Sequence, residues 1–101
     1  MRFSVQAKDV LLLESTDNYV TVYYILENKV QRTLLRNTLK NLEEMLAESS
    51  IVRCHRSYMV NLQNVDFLQK DGKKINIRIK HMEQSVPVSQ KYSPRFIGLL
   101  S

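Results

Sequence analysis

The chain is poor in the residues that cross-link a protein, bind metal or punctuate its backbone. Its single cysteine, Cys54, has no partner for an intramolecular disulfide, and of the two histidines one, His55, is its immediate neighbour. No zinc site of ordinary ligand spacing can be assembled from that set. With only two glycines and two prolines in 101 residues, there is no linker, low-complexity tract or internal repeat. Residues 1–101 therefore read as one domain, at the small end of the ~50–200 residues that a single core occupies. No apolar run approaches the roughly 20 residues of a membrane-spanning helix, so no membrane insertion is expected. The opening "MRFSVQAKDV" lacks the continuous apolar stretch of a secretory signal, which with the lone cysteine favours the cytoplasm. A glycine-rich phosphate cradle, a G-x-S-x-G elbow and an H-E-x-x-H pair are all missing. Glu43 and Glu44, neighbours on a helix, diverge by about 100° and cannot flank one substrate bond. Neither an enzyme nor a cofactor is expected.

What the chain does have is positive charge in one half. The net charge is +5, and while residues 1–50 carry six Lys/Arg against seven Asp/Glu, residues 51–101 carry nine against three. Such asymmetry suggests an anionic partner, nucleic acid first and an acidic membrane surface second, with a basic solvated face as the plain alternative.

Short apolar runs of strand length recur: "RFSVQA", "VLLLES", "NYVTVYYI", "VQRTLL", "YMVNL", "VDFLQK", "KINIRIK" and "SVPVS". Several alternate with period two, so that Ile75, Ile77 and Ile79 share one face of a strand and Asn76, Arg78 and Lys80 the other. Asp71-Gly72 signals a hairpin, and Glu27-Asn28-Lys29 a second turn. Pro87 demotes "SVPVS" to an edge or bulged strand. One helix is expected over residues 38–47, with Leu39, Leu42, Met45 and Leu46 on its apolar face and Asn37 or Thr38 as N-cap. Its other face carries Lys40, Asn41, Glu44 and Glu48, which is too acidic to lie against phosphates. A short C-terminal helix is expected from Ser93-Pro94 through Phe96, Ile97 and Leu100, weakened by Gly98.

With the helix unsuited to nucleic acid, anion-binding groups must come from connections between strands. Three places qualify. In "STDNYV", Asp17-Asn18 forms a turn ahead of Tyr19. In "RCHRSYMVN", Arg53, His55, Arg56 and Ser57 crowd before an apolar run. In "PVSQKYSPR", Ser89, Gln90, Lys91, Ser93 and Arg95 follow an edge strand. Arg, Asn, Gln and His read base edges, whereas Ser, Lys and Tyr suit phosphate oxygens. Each residue taken alone also has a purely structural reading. Asn18 could only cap a turn, Tyr19 could be core, His55 a satisfied structural histidine, and Arg56 a side chain lying along the flank. Cys54 reads as a small buried apolar residue, with redox sensing as the lesser alternative.

Taken together, "HRSYMVN" and the downstream "VPVSQKY" resemble the LytTR family, a bacterial DNA-binding domain found mostly at the C-terminus of response regulators. The resemblance covers nearly the whole chain, from "VLLLESTDNYVTVY" through "LRNTLKNLEEML" to "CHRSYMVNLQNVDFL" and "VPVSQKYSPRF". It implies a mainly β fold of three small antiparallel sheets packed with one well-formed helix, and double-stranded DNA read by inter-strand loops in the major groove. By position it places Asn18 and Tyr19 in the first reading loop, His55, Arg56 and Ser57 in the second, and Ser89, Gln90 and Lys91 in the third. Many members have arginine where this chain has Gln90, which shifts the expected base from guanine toward adenine. The resemblance further implies a transcription regulator in a two-component system, whose phosphorylatable N-terminal receiver domain lies outside these residues. The chain has no heptad seam and its helix has a charged outer face. A monomer is therefore expected in isolation, pairing on DNA at sites on one face of the duplex or through the missing domain. A basic protein-interaction or membrane-surface module is the competing reading.

Overall fold

The computed structural model describes residues 4–100. The fold is mainly β, and the strands among the described residues form two antiparallel sheets. The first sheet is built from β1 (Val10–Thr16), β2 (Tyr19–Leu26), β3 (Lys29–Leu35), β4 (Ile51–His55) and β5 (Tyr58–Asn61), in the order β3-β2-β1-β5-β4. The second is the meander β6 (Val65–Asp71), β7 (Lys74–Ile79) and β8 (Ser85–Val88). The expected count of three sheets is thus corrected to two. β1 pairs with β2 on one side and with β5 on the other, which fuses two hairpins into one five-stranded sheet.

The sequence of β1 accounts for its central place. The run Val10-Leu11-Leu12-Leu13 is apolar at every position because both faces of the strand are covered, where a half-buried strand would alternate. Val10 and Leu13 join Val20, Val22, Ile51 and Met59 in a core closed by Leu39 and Leu42 of helix α1 (Leu39–Met45). Leu11 and Leu12 join Cys54 and Val60 in a second core, closed by Ile75, Ile77 and Ile79 of β7, by Val86 and Val88 of β8, and by Phe96 of helix α2 (Ser93–Leu100). The five-stranded sheet is therefore the middle layer, with α1 on one face and the small sheet and α2 on the other.

Local signals fix most of the turns. Glu27 and Asn28 both have positive φ, +52° and +65°, in a two-residue turn closed by the Leu26–Lys29 pair. The second expected hairpin forms one residue further along than anticipated. Asp71 pairs with Lys74, so Gly72 and Lys73 make the turn, and Gly72 supplies the left-handed φ of +62°. β8, which contains Pro87, lies at the edge of its sheet as expected.

Three further points depart from expectation. "RFSVQA" makes no strand over residues 4–6 and passes into a 3-10 turn at Ala7–Asp9, while its first two residues lie outside the described residues. The strand Ile51–His55 was not expected, because a bulge at Cys54 breaks its alternation. Helix α1 is shorter than residues 38–47: Thr38 is its N-cap, its side chain accepting the Asn41 N–H at 3.1 Å, and Met45 is 74% exposed instead of packed. The C-terminal helix α2 forms where expected, over all eight residues through Gly98, because burial of Phe96 against the second core anchors it.

Candidate nucleic-acid interface

The three polar connections named from the sequence converge. The β1–β2 turn, Asp17-Asn18, is closed by the Thr16–Tyr19 pair, and Asp17 takes a φ of +53°. The β4–β5 turn, Arg56-Ser57, is closed by His55 opposite Tyr58. Two backbone hydrogen bonds tie the connections together. Ser15 N–H donates to the Ser57 carbonyl at 2.9 Å, and Ser89 N–H donates to the Cys54 carbonyl at 3.0 Å. The first bond extends the β1–β5 pairing to the turns, and the second uses the carbonyl of the bulged residue. Bulges commonly re-aim a strand end in this way.

Within this cluster Asn18, Arg56, Gln90 and Lys91 are exposed, and Tyr19 is 43% exposed, which removes its reading as core. His55, Ser57 and Ser89 are half-buried and have internal partners. Ser57 N–H donates to His55 Nδ1 at 3.1 Å, which leaves the Nε2 side of the ring to carry the proton of the neutral imidazole. The His55 ring meets the Tyr58 ring at 5.4 Å between centroids. The Ser89 carbonyl accepts from Tyr92 N–H at 3.0 Å and Ser93 N–H at 2.9 Å, so the third connection runs directly into the first turn of α2. Lys91 Nζ lies 5.4 Å from the centroid of the Tyr92 ring.

Behind the first two turns, Glu14 on β1 accepts from Tyr23 OH at 3.2 Å through one carboxylate oxygen and from Tyr58 OH at 3.3 Å through the other. Burial first, and then the Glu14 charge, push both phenols above their ordinary value. Asn61, fully buried at the end of β5, is satisfied four times. Its amide donates to the Ala7 and Val10 carbonyls, each at 2.9 Å, and its carbonyl oxygen accepts from Ser50 Oγ at 2.7 Å and Gln63 N–H at 3.1 Å. The last residue of "HRSYMVN" is therefore a clamp for the fold and not a surface group. Cys54 is buried at 0% exposure, and its thiol is pushed up to about 12 by loss of solvent.

Arg53 departs from its place among the outward basic groups. It turns inward, with a side chain only 15% exposed, and forms an ion pair with Glu43 of α1 at 2.9 Å. Neither Glu14 nor Arg53 carries a local signal for these roles, since the Tyr23, Tyr58 and Glu43 side chains they meet lie on other elements. Asn61 could have been found as a polar residue inside an apolar run. Among the described residues no three His, Cys, Asp or Glu side chains group to hold a metal, and no helix is long and apolar enough to cross a membrane.

Comparison with known proteins gives one answer. The chain aligns at 37% identity over 62 residues with an uncharacterized response regulatory protein of Vibrio cholerae serotype O1, covering 61% of this chain and 25% of that protein. A second such protein of the same organism is 28% identical over 87 residues, covering 85% and 33% respectively. The chain thus spans a quarter to a third of these relatives. The fold superposes with a TM-score of 0.81 and 28% identity on the LytTr DNA-binding domain of a Bacillus cereus response regulator, over 98% of this chain and 87% of that one. The family model for the LytTr DNA-binding domain matches residues 2–101. Because that model spans all but the first residue and the fold agrees, the chain belongs to the LytTR family of DNA-binding domains.

Proposed function

We propose that this domain binds double-stranded DNA sequence-specifically, placing its three connections in the major groove, as the output module of a two-component transcription regulator. The observation that carries this reading is the pair of backbone hydrogen bonds, Ser15 to Ser57 and Ser89 to Cys54, which gather the polar connections at one edge of the molecule. A groove about 12 Å wide admits such turns. Arg56 suits a bidentate contact to a guanine edge, and Gln90 to an adenine edge. Asn18, Tyr19, His55 and Ser57 lie beside Arg56, while Ser89 and Lys91 flank Gln90, with Lys91 as a phosphate contact. DNA binding is the character of the family, which is not a catalytic one. The regulator role is supported by relatives described as response regulatory proteins, each far longer than this chain. A receiver domain in the remaining length, and pairing of copies on DNA, belong to the same proposal.

The test is selection of binding sites from a random duplex library, followed by salt titration of the selected and random DNA. If about four to six phosphates are neutralised, log K falls with log salt at a slope of roughly −4 to −5, and a base-specific component survives above it. Equal affinity for selected and random duplexes at every salt concentration sinks the reading and favours a basic protein-interaction surface instead.

A further inference from the structure

The Arg53 guanidinium holds three parts of the molecule at once. Along one edge, Nε donates to the His55 carbonyl at 2.9 Å and Nη2 to the Arg56 carbonyl at 2.7 Å. At its far end Nη1 donates to Glu43 Oε1 at 2.9 Å. Its Cζ lies 5.9 Å from the centroid of the Tyr92 ring, on the α2 side. Two successive carbonyls at a two-residue turn, taken by two parallel donors of one planar group, leave that turn little freedom. Arginine suits this use because its donors form a rigid fork. A lysine ammonium is a single point and cannot span both carbonyls and the carboxylate in this arrangement.

We propose that Arg53 is a positioning residue: it fixes the β4–β5 turn in the one conformation that presents Arg56 and Ser57 to DNA, and Glu43 of α1 holds the guanidinium in place. This rests on the reading of that turn as a DNA-contacting loop. Its charge environment separates Arg53 from the basic residues around it. Its guanidinium is mostly covered and already paired with Glu43, so it neutralises no phosphate and releases no counterion when DNA binds. Its loss therefore lowers discrimination between sequences without changing the salt dependence.

The experiment compares Arg53→Lys and Glu43→Gln with the parent domain, at a temperature where thermal melts find each variant folded. Three quantities are read: the ratio of affinities for selected and random duplexes, the salt slope on random DNA, and hydrogen exchange of the Arg56 and Ser57 amides without DNA. For Arg53→Lys the expected result is a loss of about tenfold in the affinity ratio, an unchanged slope and faster exchange at the turn. Glu43→Gln shifts ratio and exchange the same way by a smaller factor, and decides the matter if Arg53→Lys does not fold. An unchanged ratio in a folded variant, turn amides exchanging as in the parent, or, in Arg53→Gln, which unlike Arg53→Lys removes the charge, a slope reduced by about 1 as for a lost phosphate contact, would each overturn the proposal. Should the parent domain prefer no sequence, the DNA reading falls, and exchange at the turn still decides whether Arg53 positions it.

Discussion

At the scale of the residue, the interface separates groups that face outward from groups that hold them. Arg56 and Lys91 are both exposed cations, yet different losses are expected from each. If Arg56 makes the proposed bidentate base contact, Arg56→Ala costs about 1–3 kcal/mol on the preferred site and relaxes preference at one base pair. If Lys91 is the proposed phosphate contact, Lys91→Ala weakens all sequences alike and reduces the salt slope by about 1. Binding both variants to a library of single-base changes distinguishes them, and uniform losses for Arg56→Ala would mean that it reads no base. Cys54 belongs with the holding groups. Because burial moves its thiol from 9.0 up to about 12, the unfolded chain releases that proton at lower pH than the folded one. The stability due to the neutral thiol is complete below about pH 9 and is lost as pH rises toward 12. Tyr23 and Tyr58, also raised, act in the same direction at alkaline pH. Urea unfolding between pH 8 and pH 11, from about one unit below to about two units above the unfolded thiol's titration, should find a fall in stability that is smaller in Cys54→Ala. A thiol reagent should label the protein only when it is unfolded, and rapid labelling of the native domain would restore the redox alternative.

At the scale of the element, most of what was legible came from the ends. Thr38 caps α1 as its position predicts, and Asn37 Oδ1 adds a bond to the Thr38 N–H at 2.8 Å. Helix α1 is seven residues long, too short to hold itself in water, so its cap and its two buried leucines carry it. Thr38→Ala is expected to cost about 1 kcal/mol in urea or thermal unfolding, with DNA affinity unchanged once the domain is folded. A negligible change would mean that packing of Leu39 and Leu42 alone sets the helix start. Met45 was legible as part of the apolar stripe and yet lies outside the core, because the helix ends at that residue and the sheet below has been filled by Leu39 and Leu42. The reverse holds for α2, where Gly98 lowers intrinsic helicity but burial of Phe96 outweighs it.

At the scale of the whole molecule, three short connections can specify only a few base pairs, and each mismatch costs about 1–3 kcal/mol. A single copy would discriminate poorly among a genome of competing sites, so two copies acting together are expected. The Cα trace measures 45 × 28 × 24 Å. Its two shorter dimensions fit within one turn of the duplex, about 34–36 Å, so copies whose long axis lies across the duplex can occupy successive turns on one face. Sites about 10.5 base pairs apart, or a multiple of that, are then expected to bind cooperatively. Inserting about five base pairs moves one copy to the far side and should abolish the cooperativity. Its persistence would mean that the copies are not rigidly coupled. Sedimentation of the domain without DNA should find a monomer, and a stable dimer there would contradict the assembly route.

The sequence by itself determined most of the strands, the Glu27-Asn28 turn and the helix start, because period-two alternation, a positive-φ turn and a hydroxyl at Thr38 act over a few residues. It also marked the three polar connections, since Asn18, Arg56 and Gln90 interrupt apolar runs and have nothing local to satisfy them. Only the tertiary structure decided that those connections meet. The β1–β5 pairing joins residues more than forty positions apart, as Glu14 opposite Tyr58 illustrates, and no local pattern encodes such a register. The bulge at Cys54 likewise follows from packing: the thiol enters the second core while Arg53, one residue earlier, reaches Glu43 beside the first. Arg53 and Arg56 are the same residue type three positions apart in one segment. The pairing of their strand and the carboxylate waiting on α1 turned one inward as a brace and left the other facing solvent.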